Sequence, residues 1–137
     1  MLYTEATITL AANVDELDRL FAFIGGNLEK AKCPENVKSQ IELAAEEIFV
    51  NIANYAYKGS SGGTCEITMT IADGEAAIRF RDGGIPFNPL EHEDPDTNIP
   101  LEEREEGGLG ILIAKRVMDM IEYSYDGMNH LRLKKKW

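Results

Sequence analysis

Cys65, Ile67, Met69 and Ile71 alternate with polar neighbours, Asp73-Gly74 interrupts, and Ala76, Ile78 and Phe80 resume the alternation. No other stretch limits the fold so tightly. A period of two sets all of these apolar side chains on one face of a strand pair, and Asp-Gly between two such runs is a tight hairpin turn. Met69 belongs to the apolar face and reads as core. A second pattern supplies a partner for that face. Ile41, Ala44, Ala45, Ile48, Ile52 and Ala56 recur at helical spacing, one core-facing stripe on a helix that stops near Lys58-Gly59.

The remaining elements fall on either side of these two. Residues 4–11 alternate Ala6, Ile8 and Leu10 with Glu5, Thr7 and Thr9, a half-buried strand. Asn13 and Glu16 have the spacing of a capping box, opening a helix that carries Leu17, Leu20, Phe21, Ile24 and Leu28. Pro34 suits the first position of the next helix, and Glu35 suits the positive end of its dipole. Ser60-Ser61-Gly62-Gly63 reads as a flexible connection. Residues 88–106 are polar and acidic, with Pro89, Pro95 and Pro100 and no strong periodicity. A loop that long inside a compact domain is usually functional or mobile. Residues 111–118 are apolar on most sides, a buried helix. Ile121, Tyr123 and Tyr125, the Asp126-Gly127 turn, and Leu131 and Leu133 form a closing hairpin. The order predicts an α/β (α+β) two-layer sandwich, a mainly antiparallel sheet with helices on one face, as a single domain over residues 1–137.

A net charge of −10 argues against nucleic acid as a partner, since phosphate contacts need a basic face. The short run Lys134-Lys135-Lys136 does not reverse that. No apolar stretch is long enough to span a bilayer, no signal peptide is visible, and Cys33 and Cys65 have no metal-site spacing. The expectation is a cytoplasmic protein with free thiols and no membrane partner.

Three features carry chemistry. Glu47 and Asn51 lie one helical turn apart at one edge of the apolar stripe, with Tyr55 continuing the row and Glu46 on the other side. Half shielded from water, they present oxygens suited to a hard cation or a polar substrate, or they are boundary residues of an amphipathic helix. Asp82-Gly83-Gly84 ends a buried strand, where a carboxylate needs a partner; it is either an acceptor for an exocyclic amine beside a close backbone approach, or a strand-to-loop turn. Gly107-Gly108-Leu109-Gly110 puts glycines at a helix N-terminus, where free N–H groups attract phosphate. It matches neither the dinucleotide fingerprint nor a P-loop.

Taken in order, Glu47-x-x-x-Asn51, Asp82-x-Gly84 and Gly108-x-Gly110, with a polar segment between the last two, resemble the nucleotide-binding boxes of the GHKL superfamily (gyrase-type and Hsp90-type ATPases, histidine kinases and anti-sigma-factor kinases). The resemblance covers nearly the whole chain. Residues 82–89 and 101–111 look like the RsbW-type anti-sigma-factor serine/threonine kinases. The resemblance implies the Bergerat ATP-binding fold with a lid over about residues 88–107, and ATP and Mg²⁺ as cofactors. It makes Asn51 the Mg²⁺ ligand, Asp82 the reader of adenine and Gly84 a lining of the base pocket. Gly107, Gly108, Leu109 and Gly110 would contact the phosphates through the lid. Glu47 would be the general base for an incoming serine or threonine hydroxyl. Arg104 is either a mobile cation for the phosphates or a solvated lid residue. Tyr55 stands where related kinases often have histidine, and packing at the pocket edge suits it better. His92 and His130 lie outside any helical phosphoacceptor segment and read as solvated.

The expected function is thus ATP-dependent phosphorylation of a STAS-domain anti-anti-sigma protein by a kinase that also binds a sigma factor. A homodimer stays open, with Leu2, Tyr3 and Val14 as exposed apolar residues. Rivals are a non-catalytic ATP-binding module that sequesters a partner and a detached histidine-kinase catalytic domain. An ATPase without a protein acceptor ranks behind both.

Overall fold

The computed structural model describes residues 3–58, 62–91 and 108–137. The strands are β1 (Tyr3–Ala11), β2 (Thr64–Ala72), β3 (Glu75–Asp82), β4 (Met120–Tyr125) and β5 (Asn129–Lys136). They form one sheet in the order β1-β2-β3-β5-β4, every neighbouring pair antiparallel. The helices are α1 (Leu17–Lys30), α2 (Glu35–Asn51) and α3 (Gly108–Val117).

The central hairpin follows its sequence. Asp73 and Gly74 both turn at positive φ, 53° and 74°, the geometry that matches the twist of the flanking strands. Cys65, Ile67, Met69 and Ile71 on β2 and Ala76, Ile78 and Phe80 on β3 are buried, and their alternate neighbours are partly exposed. These side chains share one core with Leu20, Ile24 and Leu28 of α1, Ile41, Ala44, Ala45 and Ile48 of α2, and Ile111 and Ala114 of α3. The two-layer sandwich expected from the pattern is therefore the fold observed.

Several local expectations need correction. The Asn13 side chain accepts from the Asp15 N–H at 2.9 Å rather than from that of Glu16. A 3₁₀ turn over Val14–Glu16 intervenes before α1, and Glu16 points its carboxylate to Arg19 at 2.7 Å instead of back to Asn13. The reciprocal half of the capping box is absent because the tighter turn moves Glu16 forward. Pro34 is the residue before α2, extended at ψ 144°, and Glu35 is the first helical residue. The stripe helix ends in α form at Asn51 and continues as a π-helical turn, Ile52–Ala56. His130 is buried, 8% exposed, with Nε2 2.9 Å from Asp126 Oδ1. Its register partners on β3 and β4 are Arg81 and Ser124.

Arg104, Gly107, His92, Leu2, residues 59–61 of the Ser-Gly connection and most of the expected lid lie outside the described residues. Tyr3 and Val14 are exposed, as the sequence suggested. No helix among the described residues is long and apolar enough to cross a membrane.

Candidate nucleotide site

Asn51 and Asp82, 31 positions apart in sequence, line one pocket together with Ile52, Ala56, Phe87 and Asn129. α2 brings Asn51 there as the last residue of its apolar face, and β3 brings Asp82 as the last inward residue of its alternation. Both are more buried than a helix edge or a strand end would suggest, at 5% and 3% exposed.

Asn51 donates Nδ2 to the Glu47 carbonyl at 2.7 Å, the one-turn spacing read from the sequence. That bond fixes the carboxamide, and the oxygen is the group left for the pocket that Asn51 lines. Asp82 Oδ1 accepts from the Gly84 N–H and from Asn129 Nδ2, both at 2.9 Å. Among the described residues nothing donates to Oδ2. A carboxylate held this way can accept one further hydrogen bond from a flat ligand carrying an amine.

The glycine after Asp82 is required by the protein itself. A Cβ on Gly84 would lie 2.1 Å from the Ala56 carbonyl oxygen, so the loop closes directly on the π turn. The Ile85 N–H donates to that same oxygen at 2.8 Å. Next door, Tyr57 Oη accepts from the Gly83 N–H at 2.8 Å and donates to the Thr64 carbonyl at 2.6 Å. Tyr55 stacks on Phe87 with ring centres 5.5 Å apart, which gives it the packing role at the pocket edge.

Glu47 sits against the start of α3. A Cβ on Gly110 would come 1.7 Å from Glu47 Oε2, so the carboxylate fills the space a side chain would occupy. Burial, then the neighbouring Glu46, pushes the Glu47 carboxyl above the usual carboxylate range. Such a shift suits a group that must take a proton near neutrality. Gly108 and Leu109 open α3, just ahead of Gly110. The structure thus places Asn51 and Asp82 on one pocket, Gly84 against Asp82 and Ala56, and Gly110 against Glu47 one turn from Asn51.

Two polar residues of the pocket carry no sequence motif. Asn129 Nδ2 also donates to the Ile85 carbonyl at 2.8 Å, and its Oδ1 accepts from the Phe87 N–H at 3.1 Å and from the Tyr123 hydroxyl. Burial, reinforced by Asp82, pushes the Tyr123 phenol up, which keeps it a donor. One signal was available: Asn129 shares its register with Leu131 and Leu133, and a carboxamide on an apolar face needs a reason.

Residues 10–135 match the histidine kinase-like ATPase domain family, and the chain belongs to it. Membership in a family of ATPase domains implies ATP binding. Within that family the chain is similar to the serine-protein kinases RsbW. It is 32% identical to that of Bacillus mycoides (strain KBAB4) over 101 residues, 69% of this chain and 61% of the relative. It is 27% identical to that of Halalkalibacterium halodurans over 90 residues, 63% of this chain and 54% of the relative. The matched part thus spans less than two thirds of either relative's length. The RsbU and RsbW domains of Rv1364c from Mycobacterium tuberculosis share the fold, with a TM-score of 0.69 at 16% identity, over 97% of this chain and 32% of that one.

Proposed function

We propose that this chain is an ATP-dependent serine/threonine protein kinase and anti-sigma factor. Its substrate is a STAS-domain anti-anti-sigma protein, and phosphorylation of that protein governs which partner the kinase holds. One observation carries most of the weight: Asn51 and Asp82 line the same pocket, with Glu47 one turn from Asn51. Similarity to proteins named serine-protein kinases supports the reaction type.

Each group has a defined task. Asp82 accepts the exocyclic amine of adenine through the oxygen left open by Gly84 and Asn129. Phe87 and Ile52 give the base an apolar wall that excludes water. The donor set near Asn51 fits Mg²⁺, which takes hard oxygen ligands and few of them from protein. Asn51 Oδ1 would hold the ion together with the phosphates, and when bound it neutralises charge on the transferring phosphoryl group. Glu47 removes the proton from the serine or threonine hydroxyl as the hydroxyl oxygen attacks the γ-phosphorus. The bond from that phosphorus to the ADP oxygen breaks, and ADP leaves with the electron pair. The polar N-terminal turn of α3 suits the phosphate end of the ligand. Arg104 and Gly107 are assigned to that end as well, on the family resemblance alone. The whole of 1–137 acts as one ATP-binding domain, the compartment is the cytoplasm, and assembly as a homodimer is compatible with exposed Tyr3 and Val14.

The test is incubation with labelled ATP, Mg²⁺ and STAS proteins encoded alongside the chain. Label is expected on a serine or threonine of one of them and should survive acid. Glu47→Ala should keep ATP binding in calorimetry and lose transfer by roughly 10²–10⁴-fold. Transfer at the wild-type rate in that variant would remove Glu47 from the mechanism. Acid-labile label would instead favour a histidine acceptor.

A further inference from the structure

We infer that Asn129 is the positioning residue that aims the Asp82 carboxylate, and that this aim sets a preference for 6-amino over 6-oxo purine nucleotides. The inference deepens the ATP reading above and rests on it.

Asn129 is 5% exposed and uses its full bonding capacity. Nδ2 donates to Asp82 Oδ1 at 2.9 Å and to the Ile85 carbonyl at 2.8 Å. Oδ1 accepts from the Phe87 N–H at 3.1 Å and from the Tyr123 hydroxyl. The two ends of this carboxamide have opposite demands, so its orientation is fixed. Two donors face two acceptors on one side, and one acceptor meets two donors on the other. One side chain therefore joins the end of β3, the loop at residues 85–87 and strand β4.

The consequence falls on Asp82. Held at Oδ1 by Asn129 and by the Gly84 N–H, the carboxylate cannot swing about its Cβ–Cγ bond, and Oδ2 has one direction. An oxygen fixed in that way matches an N–H donor. A purine with oxygen at C6 would set an acceptor against an ionised acceptor, and a site built around one buried polar group discriminates strongly against a mismatched partner. A carboxylate free to rotate would tolerate the oxo purine through an intervening water. Aspartate at position 129 would reverse both donor contacts, and leucine would remove all four bonds at similar volume.

The experiment compares Mg-ATP with Mg-ITP, its hypoxanthine counterpart, by calorimetry on the full chain. The wild-type chain should bind ATP at least about tenfold more tightly than ITP. Asn129→Leu should bring the two affinities within about threefold of each other, with most of the change in ATP. Tyr123→Phe, which spares the Asp82 contact but frees one end of Asn129, should reduce the ratio by a smaller factor. A general loss of structure would weaken both nucleotides alike and leave the ratio in place. If Asn129→Leu fails to fold, Tyr123→Phe decides. A wild-type ratio near one, or an unchanged ratio in whichever variant folds, overturns the positioning role while the kinase reading stands. Absence of ATP binding by the wild-type chain overturns both.

Discussion

Glu47 holds a carboxylate in a place that penalises its charge. Its carboxyl titrates above the ordinary value when folded, so over the pH range between the two values the folded chain keeps a proton that the unfolded chain has released. Stability from this group is complete at acid pH and declines as pH rises through the raised value. Glu47→Gln should therefore unfold at a higher temperature than wild type at neutral pH, by only a degree or two given the partial exposure. The gain should vanish near or below about pH 3, where this position is almost wholly neutral in both chains and in either state. Thermal melts at the two pH values measure it. The two glycines that contact the site should part company on substitution. Gly84→Ala drives a methyl into the Ala56 carbonyl, which the backbone on both sides holds in place, and should cost about 1–3 kcal/mol or more in urea unfolding. For Gly110→Ala the nearest atoms belong to the movable Glu47 side chain. It should change stability by less than about 1 kcal/mol and yet lower phosphoryl transfer by roughly 10²-fold, because the proposed base is displaced.

At the scale of elements, periodicity was readable wherever burial is periodic. The hairpin of β2 and β3, the α2 stripe and the closing hairpin appear where the alternation or the helical spacing put them. A π turn has no such mark, because one extra residue per turn changes bonding partners without changing composition. The sequence therefore led the helix straight on to Lys58, and Asn51 looked like a boundary residue instead of a buried one. Asn129 showed only as a carboxamide in an apolar register, and nothing near it named most of its partners: Phe87, Ile85 and Asp82 lie 42, 44 and 47 positions away. No local spacing encodes a bond of that reach. Glu47, Asn51, Asp82 and Gly110 stood out through their combination, and each alone had an ordinary explanation. The π turn has a specific use, since it delivers the Ala56 carbonyl to Ile85. Deleting Ala53 to restore α spacing should leave the far-UV circular dichroism close to wild type and abolish ATP binding in calorimetry.

At the scale of the whole molecule, the pocket lies where α2, β3, β4 and β5 meet, so a ligand there ties α2 to the β3-β5-β4 side of the sheet. ATP at 100 times its dissociation constant should add about 2.7 kcal/mol to global stability. A thermal shift with Mg-ATP that is absent for Asp82→Ala would place the binding energy in this pocket. The same construction gives the chain a built-in clock. Cys65 pairs directly across from Asp82 on the neighbouring strand, fully enclosed, with burial pushing its thiol far above the ordinary range. An alkylating reagent can reach that sulfur only when the core packed over this face of β2 opens. Its rate of labelling thus times the opening of the core beside Asp82, and adenine nucleotide should slow that clock. Cys33, on the bend between α1 and α2, keeps separate time in the same tube.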